Sequence, residues 1–435
     1  MSTSPTSKII GLLCTALLAL STACTSIPGG EAFENMRENA AANNNTPVFD
    51  GVGPETQTAF TPQVKLPPKD PHAFSIGVLL PTDEEHRKVA RSLSQGLAMA
   101  VAEVNAAGGI NGQPIQLDVV DSSPAALSAL RDHGEAVILV GDASLAIAQT
   151  TQLASCPQLI GFLCDYVAVP KLTPNNGIRI YLNGDQEARV MESYLETAGV
   201  QRVSIFYTNN LLGKSHEQYM LYLISANHEV ATVSEAYSPD EHDFALLAKA
   251  VYHSDNDALI LAGSGFEYPA ILAAFDAVGW TGTVFGYAGD SGLTPLANQS
   301  GLGQTAAYPL PEFASNPRST EASRAFADKY HAQYGEDPGL AAAYAYDNIH
   351  ALAAAATQAA SSDPKKIRDS FIALRNYIGA VGRYEIKDDG DTEMPLRLWH
   401  ASGEPAPEPH PSAPLPNPSD FHKLPEQSFS VPGQP

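Results

Sequence analysis

The sequence predicts an α/β protein made of two doubly wound, parallel-sheet lobes. From Ala73 to about Ser402, short runs of β-branched and apolar residues alternate with amphipathic helical patterns. This alternation is typical of a parallel sheet with helices on both faces. The repeating units are too numerous for one compact sheet, and a chain of 435 residues is long enough for two or three domains of roughly 150 residues each.

The predicted elements follow one another in the order expected of such lobes. Stretches rich in Val, Ile and Leu predict strands, and stretches with an apolar residue every three or four positions predict helices. The predicted strands are 75–80, 116–120, 136–140, 202–207, 229–233, 258–262 and 283–285, and the predicted helices are 87–107, 214–226, 244–251, 268–278 and the Ala-rich 341–360. Ligands of such sheets bind beyond the carboxyl ends of the strands, so the cleft between the lobes is the expected binding site.

The charge balance excludes some classes of partner. Lys and Arg number 25 and Asp and Glu number 48, which gives a net charge of −23 at pH 7. Such a surface repels phosphate backbones, so nucleic acid is not an expected partner. The one long apolar run lies at the N-terminus, and no interior segment is predicted to span a bilayer.

Both ends of the chain have compositions that differ from the globular body. Residues 1–24 have a polar start, an apolar stretch and small residues ending in Cys24, which is the order of a secretory signal. The end of this segment resembles the lipoprotein signal of bacteria, which implies a lipid anchor on Cys24. The alternative is plain secretion, in which Cys24 is removed or has no role. Residues 25–72 predict a flexible tether, and residues 403–435 predict a Pro-rich, disordered tail.

Cys156 and Cys164 lie close together in the string CPQLIGFLC, with no further Cys or His at zinc-ligand spacing. In an oxidising compartment these two residues would form a local disulfide. The alternative is a pair of buried thiols without a disulfide. The 12 His residues form no metal-binding motif, so neither a metal nor a cofactor is expected.

The string LAMAVAEVNAAGGINGQPIQLDVV, residues 97–120, connects the predicted strand IGVLLP and its helix to the next strand. As a whole it closely resembles the opening of the leucine/isoleucine/valine-binding protein family, the solute-binding components of ABC importers for branched-chain amino acids and amides. The similarity continues through QRVSIFYTNNLLGKS at 201–215 and AFDAVGWTGTVFGYAGD at 274–290. It covers roughly residues 74–399.

The resemblance implies a type 1 periplasmic-binding-protein fold, in which three crossovers join the lobes. Such proteins act as hinged clamps, because ligand binding favours the closed state that docks on the membrane transporter. We place the crossovers near 181–186, 308–313 and 378–383, the N-terminal lobe at 73–183 plus 312–379, and the C-terminal lobe at 184–311 plus 380–402.

The resemblance also implies which residues contact a ligand. In relatives, loops of the first lobe and an acid with aromatic residues from the second lobe hold an amino acid zwitterion. The matching positions here are Ser144, Leu145, Tyr166, Ala168, Leu212, Glu267, Tyr287 and Asp290. Glu267 aligns with the acid that binds the ammonium group. Ala168 stands where relatives have a hydroxyl and Leu212 where many have an aromatic ring, so both depart from the family pattern.

Several of these positions also have a purely structural interpretation. Ser144 would be a good N-cap for a helix entering at about Leu145. Glu267 would be a solvated residue in the first turn of a helix, favoured by the helix dipole. The charged loop 82–88 replaces the small residues usual in the family. It either faces solvent at the rim of the cleft or lets Arg87 and Lys88 meet an anionic ligand group.

No motif predicts covalent chemistry. GDSG at 289–292 is the string around the nucleophile of chymotrypsin-like proteases, but here it follows a strand of the βα series, and no motif positions a His and an Asp to serve it. We therefore expect a non-enzymatic, extracytoplasmic solute-binding lipoprotein. It would capture a small polar molecule, such as a branched-chain amino acid or an amide, and present it to an ABC permease. The alternative is an envelope lipoprotein that regulates another cell-envelope protein.

Overall fold

The computed structural model describes residues 66–84, 86–164, 176–227, 230–241, 243–252, 257–263, 265–288, 301–314, 318–400, 402 and 404–406. The predicted signal sequence with Cys24, most of the predicted tether and residues 407–435 of the predicted tail lie outside this part of the chain. Among the described helices, none has the length and apolar character needed to cross a membrane.

The first lobe contains a sheet of five parallel strands. The strands are β1 (Phe74–Leu80), β2 (Ile115–Asp121), β3 (Val137–Val140), β4 (Leu159–Phe162) and β5 (Gly177–Arg179), and the helices between them are α1 (Arg87–Ala106), α2 (Pro124–His133), α3 (Ala143–Ala148) and α4 (Thr150–Ala154). The strand order is β2-β1-β3-β4-β5. All residues of β1, β3 and β4 are buried, because helices and loops cover both faces of the parallel sheet.

The second lobe is built in the same way around a sheet of six strands. Its elements are α5 (Gly184–Thr197), β6 (Arg202–Thr208), α6 (Leu211–Asn227), β7 (Ala231–Tyr237), α7 (Ala245–Tyr252), β8 (Ala258–Ala262), α8 (Tyr268–Ala277), β9 (Thr283–Gly286), α9 (Leu302–Thr305), β10 (Ala307–Leu310) and, from the end of the body, β14 (Arg397–His400). The order is β14-β10-β9-β8-β6-β7, with β14 antiparallel at the edge. The two parallel sheets confirm the predicted fold class.

After β10 the chain returns to the first lobe. The returning elements are α10 (Glu321–Tyr334), α11 (Leu340–Ala359), α12 (Pro364–Ala373), β11 (Asn376–Gly379), β12 (Gly382–Ile386) and β13 (Thr392–Glu393). The three strands form a small antiparallel sheet of their own, and α11 packs against α1 in the core of the first lobe.

Three crossovers, called passages below, therefore join the lobes. They lie between β5 and α5, between β10 and α10, and between β13 and β14. The third passage lies at 394–396 and not at the expected 378–383. β11 and β12 form a hairpin, and its residues Ala380, Val381 and Tyr384 are buried in the core of the first lobe. Residues 380–393 therefore belong to the first lobe, because the hairpin buries its apolar side chains there.

A buried ion pair joins the two first-lobe segments that lead into the first and third passages. Arg179 is only 1% exposed, and it donates from Nε to Asp391 Oδ1 at 2.8 Å and from Nη2 to Asp391 Oδ2 at 2.5 Å. Gln186 of α5 adds hydrogen bonds to the backbone of Thr392, at 3.1 Å, and of Met394, at 3.3 Å. The two passages are thus held side by side at the junction of the lobes.

The ends of the described body are longer than the sequence predicts. Leu66 packs against a cluster of buried residues in the first lobe, and the Asp70 N–H donates to Gln116 Oε1 at 3.2 Å, so the end of the predicted tether lies on the lobe. The Ala406 N–H donates to the Leu398 carbonyl at 3.0 Å. The beginning of the predicted tail is therefore attached to β14.

Small residues allow α1 and α11 to pack at very short range. A Cβ added to Gly96 of α1 would lie 2.0 Å from the carbonyl oxygen of Ala342 in α11. The structure thus confirms that the Ala-rich helix has a packing role, since most of its Ala side chains are buried.

Gly96→Ala should destabilise the protein by roughly 1–3 kcal/mol, because the added methyl overpacks the contact between the two helices. A Gly-to-Ala change inside a helix otherwise stabilises by about 0.5–1 kcal/mol. The free energy of unfolding, measured with urea, checks this prediction against Ser94→Ala in the same helix. Equal stability of the two variants would contradict the close packing.

Candidate functional site

Loops from both lobes enclose a small space beyond the carboxyl ends of the strands. The loops after β1, β3 and β4 come from the first lobe, and the loop after β6 comes from the second. The lining residues are His86, Val89, Gly141, Asp142, Ala143, Ser144, Leu163, Cys164, Asn210 and Leu212. The space measures about 20 Å³, which is room for about one water molecule. The described loops of the two lobes therefore leave little free space at this point.

Asp142, and not Ser144, caps the short helix on the first-lobe side. Asp142 Oδ1 accepts a hydrogen bond from the Leu145 N–H at 3.0 Å, and Oδ2 accepts one from Ser122 Oγ at 2.5 Å. This corrects the expected capping role of Ser144, because α3 begins at Ala143 and an Asp accepts the first backbone donors as well as a Ser does. Ser144 is half-buried and lines the cleft.

Two of the predicted contact residues meet across the cleft. Leu212, near the start of α6, packs against a first-lobe cluster that includes Leu145, Ala143 and Ile147. Asn210 Oδ1 accepts a hydrogen bond from the Gly213 N–H at 2.8 Å, which starts α6 three residues before the predicted helix. The sequence signal for Asn210 is its N-cap spacing before the helix. The apolar contact of Leu212 with the first lobe thus holds the lobes together at this point.

Glu267 lies beyond the end of β8 and is bound by side chains from two neighbouring strands. Tyr237 OH donates to Glu267 Oε1 at 2.7 Å, and Thr208 Oγ1 lies 3.3 Å from the same oxygen. Gly263 permits this approach, since a Cβ there would lie 1.9 Å from Glu267 Oε1. Burial, together with the Glu267 charge, raises the pKa of Tyr237 well above its usual value. Its hydroxyl therefore remains a protonated donor.

Sequence reasoning missed Thr208 and Tyr237. Each is the last residue of its strand, β6 or β7, and the carboxyl ends of parallel neighbours in a sheet lie at the same edge. A polar residue directly after the predicted strand 202–207 is the signal that would have found Thr208, whereas Tyr237 lies four residues beyond the predicted strand 229–233 because β7 is longer than predicted.

Charged side chains of the loop 82–88 have partners within the protein, at the rim of the cleft. Arg87 pairs with Glu84, and both are well exposed. His86 Nδ1 lies 2.7 Å from Asp83 Oδ1, and this hydrogen bond lowers the pKa of the Asp83 carboxyl. Lys88 Nζ sits 5.2 Å from the centre of the Phe266 ring in the second lobe. These contacts support the interpretation that the loop charges lie at the rim.

Tyr287 lies in the core of the second lobe and not on the described cleft. Its ring stacks on His216 with centroids 4.0 Å apart, and its hydroxyl donates to the His216 carbonyl at 3.1 Å. The other three predicted contact residues, Tyr166, Ala168 and Asp290, lie outside the described residues.

The expected disulfide between Cys156 and Cys164 is not formed. The two residues flank opposite ends of β4, and a strand rises about 3.3 Å per residue. This separation exceeds the Cα distance of about 4.4–6.8 Å that a disulfide spans. Cys156 Sγ instead donates to the Gln152 carbonyl at 3.4 Å, and burial raises the pKa of its thiol.

A larger cavity of about 490 Å³ lies away from the cleft, as an open groove between α1 and α11. Its acid, Glu103, is already bound by Lys329 Nζ at 2.8 Å and by the Tyr346 hydroxyl at 2.5 Å. We place the candidate site in the smaller cleft, because loops from the strand ends of both lobes converge there.

Leu212→Asp should open the cleft, because it puts a charge against the apolar cluster of the first lobe without a partner there. Small-angle X-ray scattering should then report a larger radius of gyration. Leu211→Asp is the matched control, since Leu211 is 46% exposed on the same helix and its change should leave the radius unaltered. An unchanged radius for Leu212→Asp would show that this contact does not hold the lobes closed.

Comparison with known proteins agrees with this architecture. The family described as "Periplasmic binding protein" matches residues 73–404. The chain is 23% identical over 332 residues to an amino acid binding protein of Pseudomonas aeruginosa, covering 73% of this chain and 87% of that protein.

Two solved structures share the fold. One is the branched-chain amino acid transporter substrate binding protein LivJ from Streptococcus pneumoniae in complex with isoleucine, with a TM-score of 0.64, 19% identity and coverage of 77% of this chain and 97% of that chain. The other is a solute binding protein of an ABC transporter from R. palustris in complex with benzoate, with a TM-score of 0.65, 16% identity and coverage of 77% and 95%. Because the family match covers residues 73–404, most of this chain, the chain belongs to the periplasmic binding protein family.

Proposed function

We propose that this protein is the extracytoplasmic solute-binding component of an ABC importer and that it captures a small polar molecule between its lobes. The observation that carries the proposal is the convergence of loops from both sheets on one cleft, with Glu267 held beyond the end of β8 by Tyr237. The family match supports the same function. Its action consists of binding, closure and release to a permease, without covalent chemistry.

The side chains around the cleft favour a ligand that donates hydrogen bonds. Asp142 lines the cleft, but its two oxygens already accept hydrogen bonds from the Leu145 N–H and Ser122 Oγ. Glu267 lies beyond the end of β8, outside the described lining residues, and charge-assisted hydrogen bonds to an ammonium or amide group are the strong interactions that its carboxylate would make. Leu145 and Leu212 offer an apolar surface nearby. A branched-chain amino acid or a related amide fits this combination.

Binding requires the lobes to separate first. The space between the described loops, about 20 Å³, is too small for an amino acid, because ligand pockets usually measure several hundred Å³. Opening would break the contact of Leu212 with the first lobe and the contact of Lys88 with Phe266, which both lie between the lobes. The ligand would restore equivalent contacts when the lobes close.

One observation favours a second candidate function. Leu212 fills part of the cleft by packing directly on the first lobe. A protein that closes without a ligand would suit the alternative of an envelope lipoprotein that regulates another envelope protein.

A thermal-shift panel separates the two functions. A ligand at 100 times its dissociation constant adds about 2.7 kcal/mol to the free energy of unfolding. We expect a specific rise in Tm with a branched-chain amino acid or an amide, in a panel that also contains small carboxylates, polyamines and urea. No response across the panel from folded protein would favour the regulatory function.

Glu267→Gln should weaken binding of the ligand found in that panel by about 1–3 kcal/mol, because it removes a charge-assisted hydrogen bond. Glu235→Gln is the control, since Glu235 is exposed on β7 and its change should leave the affinity unaltered. Calorimetric titration measures both. An unchanged affinity for Glu267→Gln would remove this residue from the proposed site.

The proposed location includes a lipid anchor on Cys24. Cys24→Ala should move the protein from the membrane fraction into the soluble fraction or the medium, as detected by immunoblotting of cell fractions. Continued membrane association of the variant would contradict the anchor.

A further inference from the structure

Three side chains with metal-binding chemistry converge at the edge of the first lobe, away from the residues that line the cleft. Asp118 lies on β2, His133 ends α2 and Glu135 precedes β3. One ligand atom from each residue lies within 4.8 Å of the others. His133 Nδ1 is 2.5 Å from Glu135 Oε1 and 3.9 Å from Asp118 Oδ2.

Both carboxylates are buried, and among the described residues His133 alone forms an ion pair with either of them when its ring is protonated. Asp118 is 3% exposed and Glu135 is 4% exposed. Glu135 Oε2 is buried and has no hydrogen-bond partner among the described residues. Within the same part of the chain, no Lys or Arg forms an ion pair with either group. Two buried carboxylates side by side repel each other, and a bound cation would relieve that repulsion.

The opposite nitrogen of the His133 ring is already engaged. His133 Nε2 lies 3.0 Å from the carbonyl oxygen of Pro67. A carbonyl only accepts, so Nε2 carries the hydrogen. The 2.5 Å contact between Nδ1 and Glu135 Oε1 then needs one further proton, on Nδ1 or on the carboxyl group, and a metal ion would take the place of that proton. Histidines that ligate metals show this arrangement, with the second ring nitrogen donating to a backbone carbonyl.

A further residue orients the cluster from outside. Gln116 Nε2 donates to Asp118 Oδ1 at 3.1 Å and to Oδ2 at 3.3 Å. Gln116 Oε1 accepts from the Asp70 N–H at 3.2 Å. Both supporting contacts, at Pro67 and through Gln116 to Asp70, involve the segment 66–70 that begins the described body.

We propose that Asp118, His133 and Glu135 bind a divalent transition-metal ion of the Zn²⁺ type. One imidazole nitrogen and two carboxylates are a ligand set that suits such ions. The ion would fix the segment 66–70 to the first lobe through Pro67 and Gln116. Spacing rules missed the site, because the ligands come from three successive elements and match no zinc motif in the sequence.

Metal binding to the untagged, chelator-treated chain tests the proposal. Titration with Zn²⁺ should give one ion per chain and a rise in Tm, and Co²⁺ should give a visible absorption spectrum. His133→Ala and Glu135→Gln should each weaken Zn²⁺ binding more than about tenfold, since even loss of an outer-shell partner costs 10–100-fold. His331→Ala is the matched control, because His331 also faces a carboxylate, Asp337 at 2.9 Å, but in an exposed surface pair.

Two results would overturn the site. The first is that the wild-type chain binds no Zn²⁺. The three side chains would then only form hydrogen bonds with one another and with their neighbours. The second is equal Zn²⁺ binding by wild type, His133→Ala and Glu135→Gln, which would mean an adventitious ion only. If His133→Ala does not fold, Glu135→Gln carries the test, because Gln keeps the size and shape of Glu.

Discussion

The buried ion pair of Arg179 and Asp391 joins the two first-lobe segments from which the first and third passages leave, and the two-lobed arrangement depends on these passages. Removing two charges from water costs several kcal/mol for each ion unless further hydrogen bonds compensate. Here the guanidinium contacts both carboxylate oxygens, and the Thr392 N–H donates to Asp391 Oδ1 at 2.8 Å. These contacts fix the passages side by side, and the proposed capture of a solute requires the lobes to rotate about them.

The position of the cleft follows from this junction and from the direction of the strands. Parallel strands bring all their carboxyl ends to one edge, so the loops that follow β1, β3 and β4 face the loops of the second lobe. Leu212 and Phe266 then reach the first lobe, and Glu267 is held by Tyr237 at the end of the neighbouring strand. The interactions that close the clamp and the groups proposed to contact ligand therefore share the same loops.

The strands that are continuous apolar runs, such as 258–262, could be predicted, whereas the short strands β4, β5 and β10 are not predicted individually. The third passage could not be predicted, since the hairpin of β11 and β12 follows the first lobe only through long-range packing of Val381 and Tyr384. Family similarity predicts Glu267, Leu145 and Leu212 as contact residues, whereas the contact of Tyr237 with Glu267 depends on which strand ends lie near each other in the sheet. The disulfide prediction failed because sequence distance does not show that β4 separates the two cysteines.

The central claim is that a solute is captured by closure of two lobes about the fixed passages. A distance measurement between spin labels at Ala148 on α3 and Lys214 on α6, both exposed and carried by non-natural amino acids, tests it most directly. The account predicts a shorter and narrower distance distribution when a bound solute is present than when the chain is free of solute. A solute that binds one to one and leaves this distribution unchanged would contradict the account.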